Sequence, residues 1–448
     1  MRILFGSLLA IILLIIFVVS YRKTKDLFSP LCIFALFQFL RYVPHIIASD
    51  YESFTYLNQT NVFVTFLLET LFVIFVVFGY CLAKAKKNTK DEFKRQTATL
   101  LRMRIPLGVV LFVYFIGFGS RVYILYSLGG VSYILGNMGN AYYEYAHESS
   151  GYIVSLGNLM TLGILMLVYK MSYEKKKRYY VFLVCMVGAG MFSYMVYSSR
   201  SPALELLMIT IFGYHFMVKK IKLRSIFKPK VLIALLLGVV VICLLPVLRN
   251  NSSGNESMRI TVPGLFSSIF SSIGNIFNEF SNVGRDTFVY QYFNVSNMWY
   301  GLNFLNLFVA AIPSSIYLNK PCIDDGNYLC NLMHGYSVSP NAGRNDLLVK
   351  YSVPFSTPGC MYANFGIVGI IFAGLLLGIV LKRTYNSFRK NINPFTVFLY
   401  QLIVYQLELT TLSISQTLIP LVVSGLVYYL CLKYFVDRNS YAFRSKIA

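Results

Sequence analysis

The sequence predicts an all-α, polytopic integral membrane protein with about 11 transmembrane helices and one large outer loop that contains amphipathic helices. Three observations carry this prediction. Of 448 residues, 56% are hydrophobic and only 13% are charged, where soluble domains carry about 25% charged residues. Apolar runs of about 20 residues, the length needed to cross the hydrocarbon core, recur along the chain, and none alternates as a barrel strand would. Lys and Arg are concentrated in every other connection between those runs. The composition excludes an ordinary soluble enzyme, a disordered chain and a secreted disulfide scaffold.

In chain order the expected spans are 4–21, 27–48, 61–83, 105–128, 153–172, 179–198, 202–218, 231–248, 362–381, 394–412 and 416–434. The first starts Met1-Arg2-Ile3 like a signal peptide. It lacks a small-x-small cleavage site before Lys23, so it reads as a retained helix. The stretches 22–25, 84–104, 170–178, 219–230, 382–390 and the tail from Lys433 hold 30 of the 40 Lys and Arg. The positive-inside rule makes these cytoplasmic, with the N-terminus outside and the C-terminus inside. The net charge of +22 is therefore topology and attraction to lipid head groups, not a nucleic-acid footprint. The resulting division is 1–248 (helices one to eight with a short outer loop, 129–152), 249–361 (the large outer loop or lid) and 362–448 (helices nine to eleven).

A membrane protein rarely keeps a loop of that length without a use for it. Phe266, Ile269, Phe270, Ile273, Phe277 and Phe280 fall at helical spacing, opposite a Ser/Asn face, which predicts an amphipathic helix lying on the bilayer. The apolar run 302–318 is interrupted by Asn303, Asn306 and Pro313 and reads as interfacial or re-entrant. In the shorter outer loop, the aromatic rings and carboxylates of Tyr142-Tyr143-Glu144-Tyr145-Ala146-His147-Glu148 suit either sugar rings or an interfacial aromatic belt. Cys322 and Cys330 could form a local disulfide or remain two thiols. No His or Cys spacing suggests a metal.

Ten positive charges fall outside the cytoplasmic set: Arg2, Arg41, Arg121, Arg200, Arg249, Arg259, Arg285, Lys320, Arg344 and Lys350. Eight are arginine, whose planar fork grips phosphate and carboxylate in pairs of bonds. Their concentration on the poorly charged outer side points to an anionic ligand there. Arg200, in Ser198-Ser199-Arg200-Ser201-Pro202, sits at an outer turn where a helix begins, a phosphate-binding arrangement in form; the alternative is a snorkelling anchor. Arg285-Asp286 offers an anion-binding Arg beside a carboxylate base, or a local ion pair. Arg344 and Asp346 form a similar pair, and His334 is a second candidate proton acceptor. Arg41 and Arg121 lie within spans, where charge costs about 2.5–3.5 kcal/mol on insertion scales, so they should face protein or a cavity. Glu69, Glu205 and Glu408 are the natural partners. Arg41 and His45 read as structural, whereas Arg121 lies nearer the outer end.

The order of spans and loops resembles the Wzy-type O-antigen and oligosaccharide repeat-unit polymerases across nearly the whole chain. The resemblance is specific at Ser198-Ser199-Arg200-Ser201, at Arg285-Asp286-Thr287-Phe288 followed by Ile312-Pro313-Ser314, and at Tyr362-Ala363-Asn364-Phe365-Gly366-Ile367-Val368-Gly369. The resemblance implies an inner-membrane glycosyltransferase, active on the periplasmic face, that needs no cofactor and no metal. Its substrates would be a donor and an acceptor glycan on undecaprenyl diphosphate. Arg200, Arg285 and Arg344 would contact the diphosphates with Arg121 in support, Asp286 would act as base, and His334 is the second choice. A Wzz-type chain-length regulator and a flippase are the expected partners. An O-antigen ligase is the nearest rival reading. A lipid-linked oligosaccharide flippase is the second rival, disfavoured by the absence of an internal repeat.

Overall fold

The computed structural model describes residues 1–46, 62–83, 105–131, 133, 151–196, 200–223, 281–310, 312, 316–349, 351–406 and 408–435. Among these the chain is all-helical, with one isolated bridge between Pro321 and Gly343. In chain order the helices are α1 (Arg2–Thr24), α2 (Pro30–Tyr42), α3 (Val62–Leu82), α4 (Leu107–Ser127), α5 (Gly151–Leu156), α6 (Asn158–Tyr173) and α7 (Lys177–Val196). They continue with α8 (Arg200–Gly213), α9 (Val283–Tyr292), α10 (Leu302–Val309), α11 (Asp325–Met333), α12 (Thr357–Lys390), α13 (Pro394–Gln401) and α14 (Thr411–Phe435).

Among the described residues six helices are long and apolar enough to cross a membrane: α1, α3, α4, Ile153–Tyr173, α12 and α14. Two shorter apolar helices, Pro30–Ile46 and Pro202–Val218, include a 3₁₀ and a π segment. The expected span 179–198 falls on α7. The expected span 231–248, the amphipathic segment 266–280, residues 142–148 and Ser198-Ser199 lie outside the described residues. The expected boundary between 394–412 and 416–434 falls elsewhere. Helix α13 runs into a π segment, Leu402–Gln406, and α14 already starts at Thr411. The reason is a cap: Thr410 Oγ1 accepts the Ser413 N–H at 3.2 Å. Among the described residues of the interrupted run 302–318, Leu302–Val309 form the eight-residue α10, which at about 12 Å is too short to span by itself. Cys322 and Cys330 are free thiols.

Contacts divide the chain into two units. The first comprises Met1–Lys86, Phe277–Asn386 and Leu402–Leu418. Helix α1 ends where Lys25 takes a left-handed conformation (φ 52°), and Ser29-Pro30 starts α2 with proline in the first turn, where its missing N–H costs nothing. Asp26 fixes the turn by accepting the Phe28 N–H at 3.0 Å and the Tyr385 hydroxyl at 2.7 Å. Leu9, Phe34, Phe66, Phe72, Val76, Ile370 and Leu377 form the core of α1, α2, α3 and α12. Close approach of α3 and α12 requires glycine. A Cβ on Gly79 would sit 2.2 Å from Leu375 O, and one on Gly378 would sit 2.1 Å from Val76 O. In lipid, where apolar burial drives little helix association, such small-residue contacts hold helices together by packing.

Helix α12 is broken at Gly366 (φ 61°, ψ −148°) into arms 357–365 and 367–390. The arms fold back on each other: a Cβ on Gly369 would meet Met361 O at 2.3 Å. A second core of the same unit, around Phe293, Trp299, Tyr328, Leu329 and Phe355, ties α9 and α11 to the short arm.

The second unit comprises Lys87–Ile276, Ser387–Gln401 and Ile419–Ala448. Its core packs α4 on α6 through Val110, Val113, Met160, Ile164 and Leu167. Among its described residues, buried Lys170 and half-buried Glu205 both have polar partners. Lys170 Nζ donates to Ile105 O at 3.0 Å and to Glu174 at 2.8 Å, and Gln401 donates to Glu205 at 3.3 Å.

Candidate functional site

The site in the first unit starts from the short helix α9. Val283, Asp286 and Thr287 share its buried face. Thr287 Oγ1 lies 2.7 Å from Thr65 Oγ1 of α3, which sets the rotation of α9 and turns Asp286 inward. Asp286 is 1% exposed. Its Oδ2 accepts the Tyr42 hydroxyl at 2.6 Å and its Oδ1 accepts the Ser356 hydroxyl at 2.6 Å. Ser356 also caps α12 by accepting the Gly359 N–H at 3.0 Å. A carboxylate bonded through this cap benefits from the positive end of the helix. Position 359 must be glycine, because a Cβ there would lie 2.6 Å from Asp286 Oδ1.

Burial pushes the Asp286 carboxyl up to about 6, against the pull of the Ser356 and Tyr42 hydrogen bonds and of Arg285. A carboxylate in this range is still ionised at neutral pH and is more basic than an ordinary one. Glu69 of α3 is fully buried in the same neighbourhood, close enough to Tyr42, Asp286 and Arg41 for electrostatic interaction.

Arg285, next along α9, turns away from Asp286. Its guanidinium donates to Pro354 O at 2.8 Å, to Ser281 O at 2.9 Å and to Asn282 Oδ1. Burial lowers its pKa. Arg41 forms an ion pair with Glu408, one of the three intramembrane carboxylates expected as partners for the arginines within spans. Both side chains line a crevice with a cavity of about 50 Å³, together with Gln38, Tyr42, Ser356, Thr357 and Pro358. Phe34, Phe37, Phe72, Leu377, Leu381, Ile403, Val404 and Tyr405 complete the walls. Asp286 does not line this crevice; it stands behind Tyr42 and Ser356, which do.

A second buried carboxylate belongs to α11. Asp325, 1% exposed, accepts the Thr411 N–H at the start of α14 at 3.0 Å and the Cys360 thiol at 3.6 Å. Burial pushes it up to about 7, opposed by the Thr411 hydrogen bonds. Its folded pKa exceeds the ordinary 3.8, so the folded state holds this proton more tightly than the unfolded chain does. The associated stability is present at low pH and is lost as pH rises from about 4 to about 7. Asp325→Asn should remove that slope, raising the thermal midpoint at pH 8 and leaving it unchanged at pH 4. A displacement of this size corresponds to at most about 4 kcal/mol. A melting series of both proteins from pH 4 to 8 checks this, and parallel curves would refute it.

The other predicted residues lie elsewhere. His334 ends α11 and is exposed. Its ring nitrogens face Cys330 O and the Tyr351 hydroxyl, each at 2.8 Å. Arg344 opens an exposed 3₁₀ turn, with its N–H on Lys320 O at 3.1 Å. Asp346 accepts the Gly343 N–H at 2.9 Å and the Asn319 amide. In the second unit, Arg121 is buried in α4, donates to Val154 O at 3.2 Å and stacks 4.8 Å from the Tyr194 ring centre. Arg200 is the first residue of α8. The structure thus brings Arg285 and Asp286 together with Tyr42, Ser356 and the Arg41–Glu408 pair, of which the sequence relates only Arg41 and Glu408 to each other. The signals were present in part. Arg41 and Glu408 are costly charges in apolar runs, and Ser356-Thr357-Pro358-Gly359 is a helix-start pattern.

No curated protein and no solved structure matches the chain. The family model described as O-antigen polysaccharide polymerase Wzy matches residues 2–439, nearly the whole length. That match spans both units and every helix named above. The chain belongs to the Wzy family of O-antigen polysaccharide polymerases.

Proposed function

We propose that the protein joins repeat units of a surface polysaccharide by glycosyl transfer on the periplasmic face of the inner membrane. Donor and acceptor are both glycans on undecaprenyl diphosphate. The observation that carries the reading is the Asp286 centre, a buried carboxylate of raised basicity held by two hydroxyls that line the same crevice as Arg41. Eleven spans with an outer N-terminus remain the topology that the charge pattern favours. A Wzz-type chain-length regulator and a flippase are the proposed partners.

The chemistry needs two things. An acceptor sugar hydroxyl attacks the anomeric carbon of the donor as the bond from that carbon to the diphosphate oxygen breaks. The hydroxyl proton must be accepted, and the departing lipid diphosphate must be stabilised as an anion. In this reading Asp286 accepts the proton through the Ser356 or Tyr42 hydroxyl, since these line the crevice and Asp286 does not. Arg285, Arg200 and Arg344 are proposed to contact diphosphate, and Arg121, held by Val154 and Tyr194, supports from within its own unit. His334 is the second choice as base.

The test is genetic. The gene is deleted, then complemented with wild type and with Arg200→Ala, Arg285→Ala and Arg344→Ala, and the surface polysaccharide is run on a gel. The expected deletion phenotype is lipid A-core bearing a single repeat unit, with wild type restoring the ladder and each arginine variant shortening it at normal expression. Bare core with polymer accumulating on the lipid carrier would identify a ligase instead. Bare core with unflipped single units would identify a flippase.

A further inference from the structure

We propose that the Arg41–Glu408 pair is a displaceable latch, in which Glu408 occupies the arginine fork that the diphosphate end of an apolar-chain ligand takes. The proposal rests on the reading above that the substrates are lipid diphosphates, and it adds a binding site within the first unit.

Four observations support it. The pair is accessible, with side-chain exposures of 29% and 21%, unlike the sealed Asp286. A carboxylate and a phosphate present the same paired oxygens to a guanidinium, so one can replace the other. The surroundings suit an anion. Thr357 and Pro358, at the N-terminal end of α12, line the same crevice. Gln38, on the same helix face three residues before Arg41, is 5% exposed, and its Oε1 has no hydrogen-bond partner among the described residues. An amide turned over would present an N–H donor where that oxygen now has no partner. Finally, the rest of the wall is apolar, with Phe34, Phe72, Leu377, Leu381, Ile403 and Val404, which fits a hydrocarbon chain and not a free ion.

The size of the cavity makes this a latch and not an open site. Its volume of about 50 Å³ holds a few waters at most, whereas pockets for small ligands occupy about 300–1,000 Å³. A diphosphate can enter only when the Glu408 carboxylate leaves Arg41. The two variants of the pair must therefore act in opposite directions. Removing the charge of Glu408 removes a competitor, while removing the fork of Arg41 removes the binding group.

The experiment uses the full chain in phosphatidylcholine nanodiscs, titrated with farnesyl diphosphate and separately with inorganic pyrophosphate. Glu408→Gln should tighten farnesyl diphosphate binding several-fold. Arg41→Gln should weaken it by about tenfold, the loss of one charge-assisted contact. Arg41→Lys, which keeps the charge and guards against misfolding, should weaken it too, because lysine lacks the fork. Inorganic pyrophosphate should bind at least about tenfold more weakly than farnesyl diphosphate, given the apolar walls. The proposal is overturned if Glu408→Gln weakens binding as Arg41→Gln does, which would make the pair structural. Equal affinity for the two probes also overturns it. The two readings fail separately: opposite-signed binding changes in a protein whose deletion leaves the ladder intact would keep the latch and remove the polymerase. A lost ladder without opposite-signed binding would do the reverse.

Discussion

Asp286→Asn should abolish the polysaccharide ladder while leaving the protein folded in the membrane. The substitution keeps the shape of the side chain and the space that Gly359 leaves for it. It removes the negative charge and replaces one acceptor oxygen with an amide donor. Tyr42 and Ser356 both donate to the carboxylate in the wild type, so one of these hydroxyls must turn round to accept. Ser356 already receives the Gly359 N–H, which leaves it less free to do so. Loss of a general base typically costs about 10²–10⁴-fold in rate, enough to reduce long chains to single units on a gel. A purified assay gives a second readout. A base must be deprotonated to act, so wild-type activity should rise with pH through about 6, the value to which burial brings Asp286, and then level off. The residual activity of the variant should lack that rise. A normal ladder from Asp286→Asn would remove the base assignment and leave His334 as the remaining candidate.

The second large effect is expected from Gly366→Ala. At φ 61° and ψ −148° the backbone occupies a region open almost only to glycine, and a side chain there costs about 1–3 kcal/mol. An added Cβ would also stand 3.0 Å from the Met298 methyl. The consequence reaches the site, because Gly366 folds back the arm whose first residues carry the Ser356 cap and the Gly359 gap. The variant should therefore lose both thermal stability and polymer length. Gly119→Ala, in α4, is the control: its Cβ meets nothing within 4 Å, and in a helix alanine is favoured over glycine by about 1 kcal/mol. Equal melting of the two variants would show that the Gly366 break is not under conformational constraint.

The legible part of the site was its charge. Arg285-Asp286 stands out in the sequence because few arginines fall outside the six basic stretches. The same reasoning put Arg344 and Asp346 forward as an equivalent pair, yet the two pairs differ once folded. Asp286 is buried under two hydroxyls, whereas Asp346 is exposed and spends its oxygens on a turn. Local sequence does not distinguish them, because burial depends on what packs above each residue. His334 illustrates the same limit, since its two ring partners, Cys330 O and Tyr351, are fixed by the end of α11 and by a residue 17 positions away. Asp325 was missed because a carboxylate in a loop is ordinarily solvated; only its placement at the start of α14 makes it a buried acid.

By itself, the sequence determined the solvent of this protein and the secondary structure that solvent allows. Apolar runs of spanning length in a chain with 13% charged residues must be helical, because a backbone in hydrocarbon has to satisfy its own hydrogen bonds. The sequence also determined which charges needed explanation, since an arginine in a span cannot be left unpaired. Only the tertiary structure decided which groups meet. Tyr42 and Asp286 are 244 residues apart in the chain, and Ser356 is 70 beyond Asp286. Their contact depends on the rotation of α9 against Thr65, on the break at Gly366, and on the missing side chain at Gly359. Each is a matter of packing at ångström scale, and no pattern of residue types along the chain encodes it.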